Sequence, residues 1–240
     1  MAAGATQPHY RTLDPAQIIA TAERLGHRIA ARFPQSSLRV VCAELISLSR
    51  DLAGSANSLS RPIWWLRAAI AAAVIGGATV FIFVGTILPF DRFPTGDAAQ
   101  SVQGIEASIN TLILVGLGLL GLARAEQTLK RRRVFRDLHG LRSLIHVIDM
   151  HQLTKDPNVL KVGYKPTEQS PPRITDRADL ASYLDYCSEM LSITGKIAAL
   201  FAQSVNDEVV IQAVNDIENL GTNLSRKIWQ KISLIEGTAD

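Results

Sequence analysis

The sequence predicts an all-α protein in which a two-span transmembrane helical hairpin carries a cytoplasmic helical bundle with coiled-coil segments. Two long uncharged stretches are the first observation behind this prediction. Elsewhere, apolar residues recur every three or four positions and almost never every second position, which is the period of helices rather than strands. Basic residues gather after the second uncharged stretch, as they do on the cytoplasmic side of membrane proteins.

The overall composition excludes several other classes of protein. Hydrophobic residues make up 47% of the chain and the net charge is +3, whereas a disordered chain has few apolar residues and a high net charge. Two cysteines are too few for a disulfide scaffold. The chain is therefore expected to fold, with helices as its elements.

Residues 1–60 are predicted to form a pair of cytoplasmic helices. The first helix begins with Asp14 as its N-cap and Pro15 at its first helical position, and it ends at Phe33. The second helix covers about residues 37–58. Each helix has an apolar seam that it cannot bury alone. These seams are Ile18, Ala22, Leu25 and Ile29 in the first helix, and Leu38, Val41, Leu45, Leu48 and Leu52 in the second.

Residues 61–124 are predicted to form the transmembrane hairpin, with spans at about 68–88 and 107–123. A helix as long as the first span, at about 1.5 Å per residue, covers the roughly 30 Å hydrocarbon core of a bilayer. The second span lies at the lower limit of length, and a re-entrant segment is the alternative. Residues at the ends of the first span are predicted to anchor it at the membrane interface. These anchors are Trp64, Trp65, Arg67, Phe90 and Phe93.

The charges around the two spans predict the orientation of the hairpin. The loop between the spans carries one basic residue, Arg92, against three acidic residues, whereas the segment after the second span is strongly basic. The positive-inside rule therefore places both termini in the cytoplasm, at the cell inner (plasma) membrane. The basic residues follow the membrane exit closely, so we expect them to contact lipid head groups rather than nucleic acid. They are Arg124, Lys130, Arg131, Arg132, Arg133 and Arg136.

Small residues within the two spans are predicted to be helix-packing positions, because they let helix backbones approach closely in lipid. They serve either contacts within one hairpin or contacts between subunits. Neither span contains an acidic residue, a lysine or a histidine, which disfavours ion or proton transport by a monomer. The packing positions are Ala69, Ala73, Gly77, Gly118 and Gly121.

The rest of the chain is predicted to be a stalk, a linker and a second helical hairpin. Residues 125–151 continue the second span as a basic stalk helix, whose apolar seam has the spacing of a coiled coil. That seam either packs on neighbouring helices or self-associates. Residues 152–176 contain four prolines and form a linker, and residues 177–240 form an antiparallel helical hairpin. The stalk seam comprises Val134, Leu138, Leu141, Ile145 and Ile148.

No catalytic, cofactor-binding or metal-binding residue is predicted. His139 and His146 are seven residues apart, whereas two metal ligands on one helix usually lie four residues apart. Cys42 and Cys187 lie on or beside apolar seams, without the activating base that a nucleophilic thiol needs. We therefore expect a homo-oligomeric membrane scaffold that contacts lipids and a cytoplasmic protein partner, and that does not act as an enzyme. The alternatives are a pore-forming effector gated by the bundle and, more weakly, a membrane-bound enzyme.

Overall fold

The computed structural model describes residues 12–59, 63–87, 98–161, 163–170, 173–205 and 207–237. Within these residues the protein is all-α and contains no strand, which confirms the predicted secondary-structure class. The helices in chain order are α1 (Pro15–Arg32), α2 (Leu38–Leu59), α3 (Trp64–Ile87), α4 (Ala98–Leu153), a 3₁₀ helix (Pro157–Leu160), α5 (Arg177–Ser204) and α6 (Glu208–Gly237).

The chain divides into two compact units. The bundle unit comprises Met1–Ser60 and Arg133–Asp240, and the apolar unit comprises Arg61–Arg132. Helix α4 contributes its first part to the apolar unit and its second part to the bundle unit.

Helices α5 and α6 form the centre of the bundle unit as an antiparallel pair. Gly221 of α6 lies where an added Cβ would be 3.5 Å from the main-chain oxygen of Leu191, so the two helices approach closely at this point. The hydroxyls of Ser188 and Ser225 share a hydrogen bond across the same interface. The carboxylate of Asp176 caps the start of α5 by accepting from the main-chain N–H of Asp179.

Helices α1 and α2 pack on each other and on α5. Asp14 caps α1 by accepting from the N–H of Ala16, and Pro15 opens the helix, as the sequence predicts. The Arg28 guanidinium bonds both carboxylate oxygens of Glu189 at 2.7 and 2.8 Å, and Phe33 packs edge-on against Tyr183. The apolar seam of α1 is buried in this packing, which confirms the predicted helical bundle.

The stalk seam of α4 is buried inside one copy of the chain. All five of its residues belong to the single apolar core that α1, α2, α5 and α6 also form. The predicted coiled-coil character of this seam therefore finds no support, because a seam already covered by its own chain is not free to pair with a second copy. The spacing of the seam could not distinguish packing on neighbouring helices from self-association of two copies, since both require the same period of apolar residues.

The end of α4 and the linker differ in detail from the sequence-based expectation. Helix α4 continues to Leu153, and the predicted linker contains the 3₁₀ helix, whose N-cap is Asp156. On α6, Ile228 and Ile232 are buried, whereas Trp229 between them is 53% exposed. Trp229 faces outward because it lies one residue away from the buried seam.

The apolar unit contains α3 and the first part of α4. Judged by length and composition alone, one candidate for crossing a membrane is found among the described residues, and it lies within the range Leu38–Thr79. This range covers α2 and most of α3, and only 6% of its most apolar window is buried. The second predicted span is helical but does not satisfy the same test, so the hairpin stays a prediction.

Candidate functional site

Several large apolar side chains of α3 are exposed to solvent. Trp64 and Trp65 at the start of the helix are 75% and 67% exposed, and Ile75 and Phe83 further along are 66% and 62% exposed. Soluble monomeric proteins rarely expose a contiguous apolar surface of this kind. Such a surface usually marks a contact with lipid or with another protein. Phe90 and Phe93, the other two predicted aromatic anchors, lie outside the described residues.

The first part of α4 exposes a second apolar surface. Ile109, Ile113, Leu117 and Leu120 are each more than half exposed. The predicted packing positions on both helices are also exposed, and a Cβ added at Gly77, Gly118 or Gly121 meets no described atom within 4 Å. Within the described residues of one copy, these glycines are therefore not sites of close helix approach, and contact between copies stays a prediction.

A single carboxylate, Glu126, joins three parts of the apolar unit. Its oxygens accept from the main-chain N–H of Ile63 at 3.3 Å and pair with Lys130 at 3.1 Å and Arg67 at 3.5 Å. The hydrogen bond from Lys130 is the main cause that lowers the pKa of Glu126, so the group stays ionised at neutral pH. Glu126 was missed from the sequence, where it is a lone acid among basic residues.

The six predicted head-group residues have different environments. Arg124, Arg132, Arg133 and Arg136 are exposed and Arg131 is half-buried. Lys130 is paired with Glu126, as is the predicted anchor Arg67, so both already have a partner within the protein. Arg133 and Arg136 belong to the bundle unit, where they help to line a groove.

This groove, which we call the basic groove, lies between the last turn of α2 and the second part of α4. Its volume is about 310 Å³. Guanidinium groups, hydroxyls and a carboxylate line it, so it offers hydrogen-bond donors and acceptors with both signs of charge. Its lining residues are Ser55, Ser58, Leu59, Arg133, Arg136 and Asp137.

Asp137 is the least exposed charged group of the basic groove. Its side chain is 16% exposed, whereas that of Arg136 is 78% exposed. Burial raises the pKa of Asp137, although the nearby charges of Arg136 and Arg133 and a hydrogen bond from Ser55 act in the opposite direction. The nearest guanidinium nitrogen of Arg136 is 4.0 Å away, which is too far for a direct hydrogen bond.

A second polar cluster lies at the C-terminal end of α4. The Lys231 ammonium donates to the main-chain oxygen of Gln152 at 3.0 Å and to its Oε1 at 2.7 Å, while the Gln152 amide donates to Asp149 at 2.6 Å. Lys231 thereby caps the C-terminal carbonyls of α4, where positive charge is favourable. Burial lowers the pKa of Lys231 against the attraction of Asp156 and Asp149. This cluster has a structural role, because it ties α6 to the end of α4.

The two cysteines are buried in the bundle core. Burial raises the pKa of Cys42 to about 11 and that of Cys187 to about 12, so both stay protonated thiols at neutral pH. Within the described ranges, no group of three or more His, Cys, Asp or Glu side chains is arranged to hold a metal ion.

Comparison of the chain with protein-family models, with curated proteins and with solved structures gives no match. The candidate functional surfaces are therefore those that the geometry defines: the exposed apolar surfaces of α3 and α4, and the basic groove.

Proposed function

We propose that this chain is an integral membrane protein whose apolar unit spans the inner membrane and whose bundle unit is a cytoplasmic scaffold for a protein partner. The observation that carries the proposal is the set of exposed apolar side chains on α3, which are Trp64, Trp65, Val74 and Ile75. Removing apolar surface from water contributes about 25 cal/mol per Å². A helix that leaves such side chains uncovered is therefore stable only where another apolar phase or partner covers it.

Lipid explains this surface better than a soluble partner does. The exposed side chains include the two tryptophans at one end of α3, and an indole at a helix end is typical of the membrane interface. A docking surface on a soluble helix usually occupies one stripe with polar residues opposite. Residues 68–88 contain no charge on any face, so no polar stripe is available.

In this proposal the second span is residues 107–123, and the basic residues that follow it face the cytoplasm. Exposed Arg132, Arg133 and Arg136 would contact anionic head groups, which is worth about 1 kcal/mol for each basic residue near the surface. Both termini then share the cytoplasmic side. The exposed glycines of the two spans would allow copies of the chain to pack together as a homo-oligomer.

Arginine substitutions on α3 test whether lipid or water surrounds this helix. Replacing Val74 and Ile75 by arginine places two charges near the middle of the span, at about 2.5 to 3.5 kcal/mol each in a membrane. In water the same exposed positions would accept arginine at almost no cost. The matched control replaces Val209 and Ile211, which are also exposed but lie on α6.

The measurement is the amount of full-length protein that stays in the membrane pellet after alkaline carbonate extraction. We expect the unmodified chain and the α6 control to stay in the pellet and the α3 variant to be lost from it. An unmodified chain that moves to the supernatant, or an α3 variant that behaves like the control, would overturn the proposal.

A further inference from the structure

The basic groove is lined by residues of both charges. Its α4 side consists of Arg133, Arg136 and Asp137. The α2 side consists of Ser55, Ser58 and Leu59, which form the last turn of that helix. The groove is therefore suited to a ligand that carries both signs of charge.

Asp137 supplies the negative charge of the groove. Its carboxylate receives a hydrogen bond from Ser55, and Arg136 lies at 4.0 Å, so carboxylate lone pairs are left for a further donor. The hydroxyl of Ser58 donates to the main-chain oxygen of Ser55 at 2.7 Å, and its own lone pairs can accept. The Arg136 side chain is 78% exposed, so its guanidinium can turn toward an anion at the mouth of the groove.

We propose that the basic groove binds a phosphate ester that carries a primary ammonium group. The phosphate lies against Arg133 and Arg136, and the ammonium donates to the carboxylate of Asp137 and to the hydroxyl oxygen of Ser58. The volume of about 310 Å³ lies at the lower end of the range for small-molecule sites, which suits a ligand of head-group size. This chemistry has two sources, an ethanolamine phospholipid head group and free phosphoethanolamine, and the lipid source rests on the proposed membrane function.

The position of the lining residues in the sequence favours a lipid head group as the ligand. Leu59 lies next to the end of the first segment of the bundle unit, and Arg133 is the first residue of the second segment. The groove is thus lined by the residues that precede and follow the apolar unit along the chain. If that unit spans the membrane, only a short stretch of chain separates these residues from the membrane-spanning helices.

The proposed contacts predict a clear selectivity. A primary ammonium has three N–H donors for Asp137, whereas the trimethylammonium of phosphocholine has none. Glycerol phosphate lacks the cation altogether. Charge-assisted hydrogen bonds to an ionised carboxylate are among the stronger protein hydrogen bonds, so losing this one should be readily measurable.

The test is calorimetric titration of the full chain in detergent micelles with phosphoethanolamine, phosphocholine and glycerol phosphate. We expect phosphoethanolamine to bind at least tenfold more tightly than the other two. Asp137→Asn should reduce this preference to within threefold while leaving the fold intact, because asparagine keeps the shape and can still pair with Ser55. Replacing Arg133 and Arg136 by glutamine should weaken all three ligands, and Arg142→Gln, an exposed position further along α4, should change none.

A second measurement separates the two sources of the ligand. The chain is released for native mass spectrometry from nanodiscs that contain equal amounts of ethanolamine, choline and glycerol phospholipids. Preferential retention of the ethanolamine lipid, lost in Asp137→Asn, assigns the site to lipid. Tight binding of phosphoethanolamine without lipid retention assigns it to the free ester.

The outcomes distinguish this inference from the proposed function. Equal binding of the three phosphates, or a preference that survives Asp137→Asn in a variant with unchanged circular dichroism, overturns the inference whatever the membrane result. If alkaline carbonate extracts the chain from membranes but the chain still binds phosphoethanolamine selectively, the proposed membrane function is wrong. The proposed ligand site is then still supported.

Discussion

At the scale of single residues, the bundle core is held by side chains that no solvent reaches. Phe201 of α5 is among the largest of the completely buried side chains. Removing a buried ring loses its transfer free energy and leaves a cavity that the neighbours fill only in part.

Phe201→Ala is expected to lower the free energy of unfolding of the bundle by about 3 to 5 kcal/mol. Leu234→Ala on α6 is the control, because Leu234 is 62% exposed and its removal should change stability by less than about 0.5 kcal/mol. Denaturant unfolding followed by circular dichroism measures both. Equal effects of the two substitutions would show that α5 is not the centre of the core.

His151, near the end of α4, is a residue whose protonation opposes folding. Burial is the main cause that lowers its pKa, and the nearby Lys155 acts in the same direction. Its Nε2 atom is buried and has no partner among the described residues. The unfolded chain therefore binds a proton at a higher pH than the folded chain does, and stability falls as the pH is lowered through this range.

We expect the midpoint of thermal unfolding to fall between pH 7.5 and pH 5 (about one unit above and 1.5 units below the ordinary histidine pKa of about 6.5), and to fall less in His151→Gln. His146→Gln is the control, since His146 is exposed on the same helix. An identical pH profile for the unmodified chain and His151→Gln would contradict the assignment.

At the scale of elements, α4 shows that the spacing of apolar residues along a helix does not reveal whether they pack within one chain or against a second copy. Its seam is buried within one copy of the chain, together with residues of four other helices. Ile145, in the middle of the seam, is completely buried, whereas Val147 two residues later is 40% exposed.

Ile145→Ala should therefore lower the free energy of bundle unfolding by about 2 to 4 kcal/mol without changing the mass of the detergent-solubilised particle. Val147→Ala, the control, should change neither quantity. Light scattering measures the mass, and denaturant unfolding measures the stability. A shift to a smaller particle with unchanged bundle stability would show that the seam joins copies of the chain.

Most of the helices could be predicted from the sequence because their signals are local. The cap at Asp14, the proline at Pro15 and the start of α5 depend only on neighbouring residues and on the period of the apolar positions. The basic groove and Glu126 could not be predicted, since each depends on which faces of distant segments meet.

At the scale of the whole molecule, the two units differ in how much of their apolar surface they bury. The bundle unit buries its own apolar residues in one core, whereas the apolar unit leaves many of its own uncovered. Copies of the chain could cover part of this surface through the exposed glycines, where added side chains meet no described atom of the same copy.

Leucine at Gly77 and Gly118 tests this assembly. Because both positions have open space within the described part of one copy, the substitutions should not disturb the fold of a single chain. We expect the mass of the detergent-solubilised particle to fall toward that of a monomer. Gly54→Leu, at an open position of α2, is the control. An unchanged mass in the double variant would place the contact between copies elsewhere.

The most direct test of the central claim is the accessibility of spin labels in liposomes. Labels are attached to cysteines introduced at positions 75 and 117 in the apolar unit and at position 209 in the bundle unit, while the native thiols are buried. Power saturation compares collisions with oxygen, which concentrates in lipid, and with a nickel chelate, which stays in water. The account predicts high oxygen and low nickel accessibility at 75 and 117, with the reverse at 209. Nickel accessibility at 75 equal to that at 209 would contradict it.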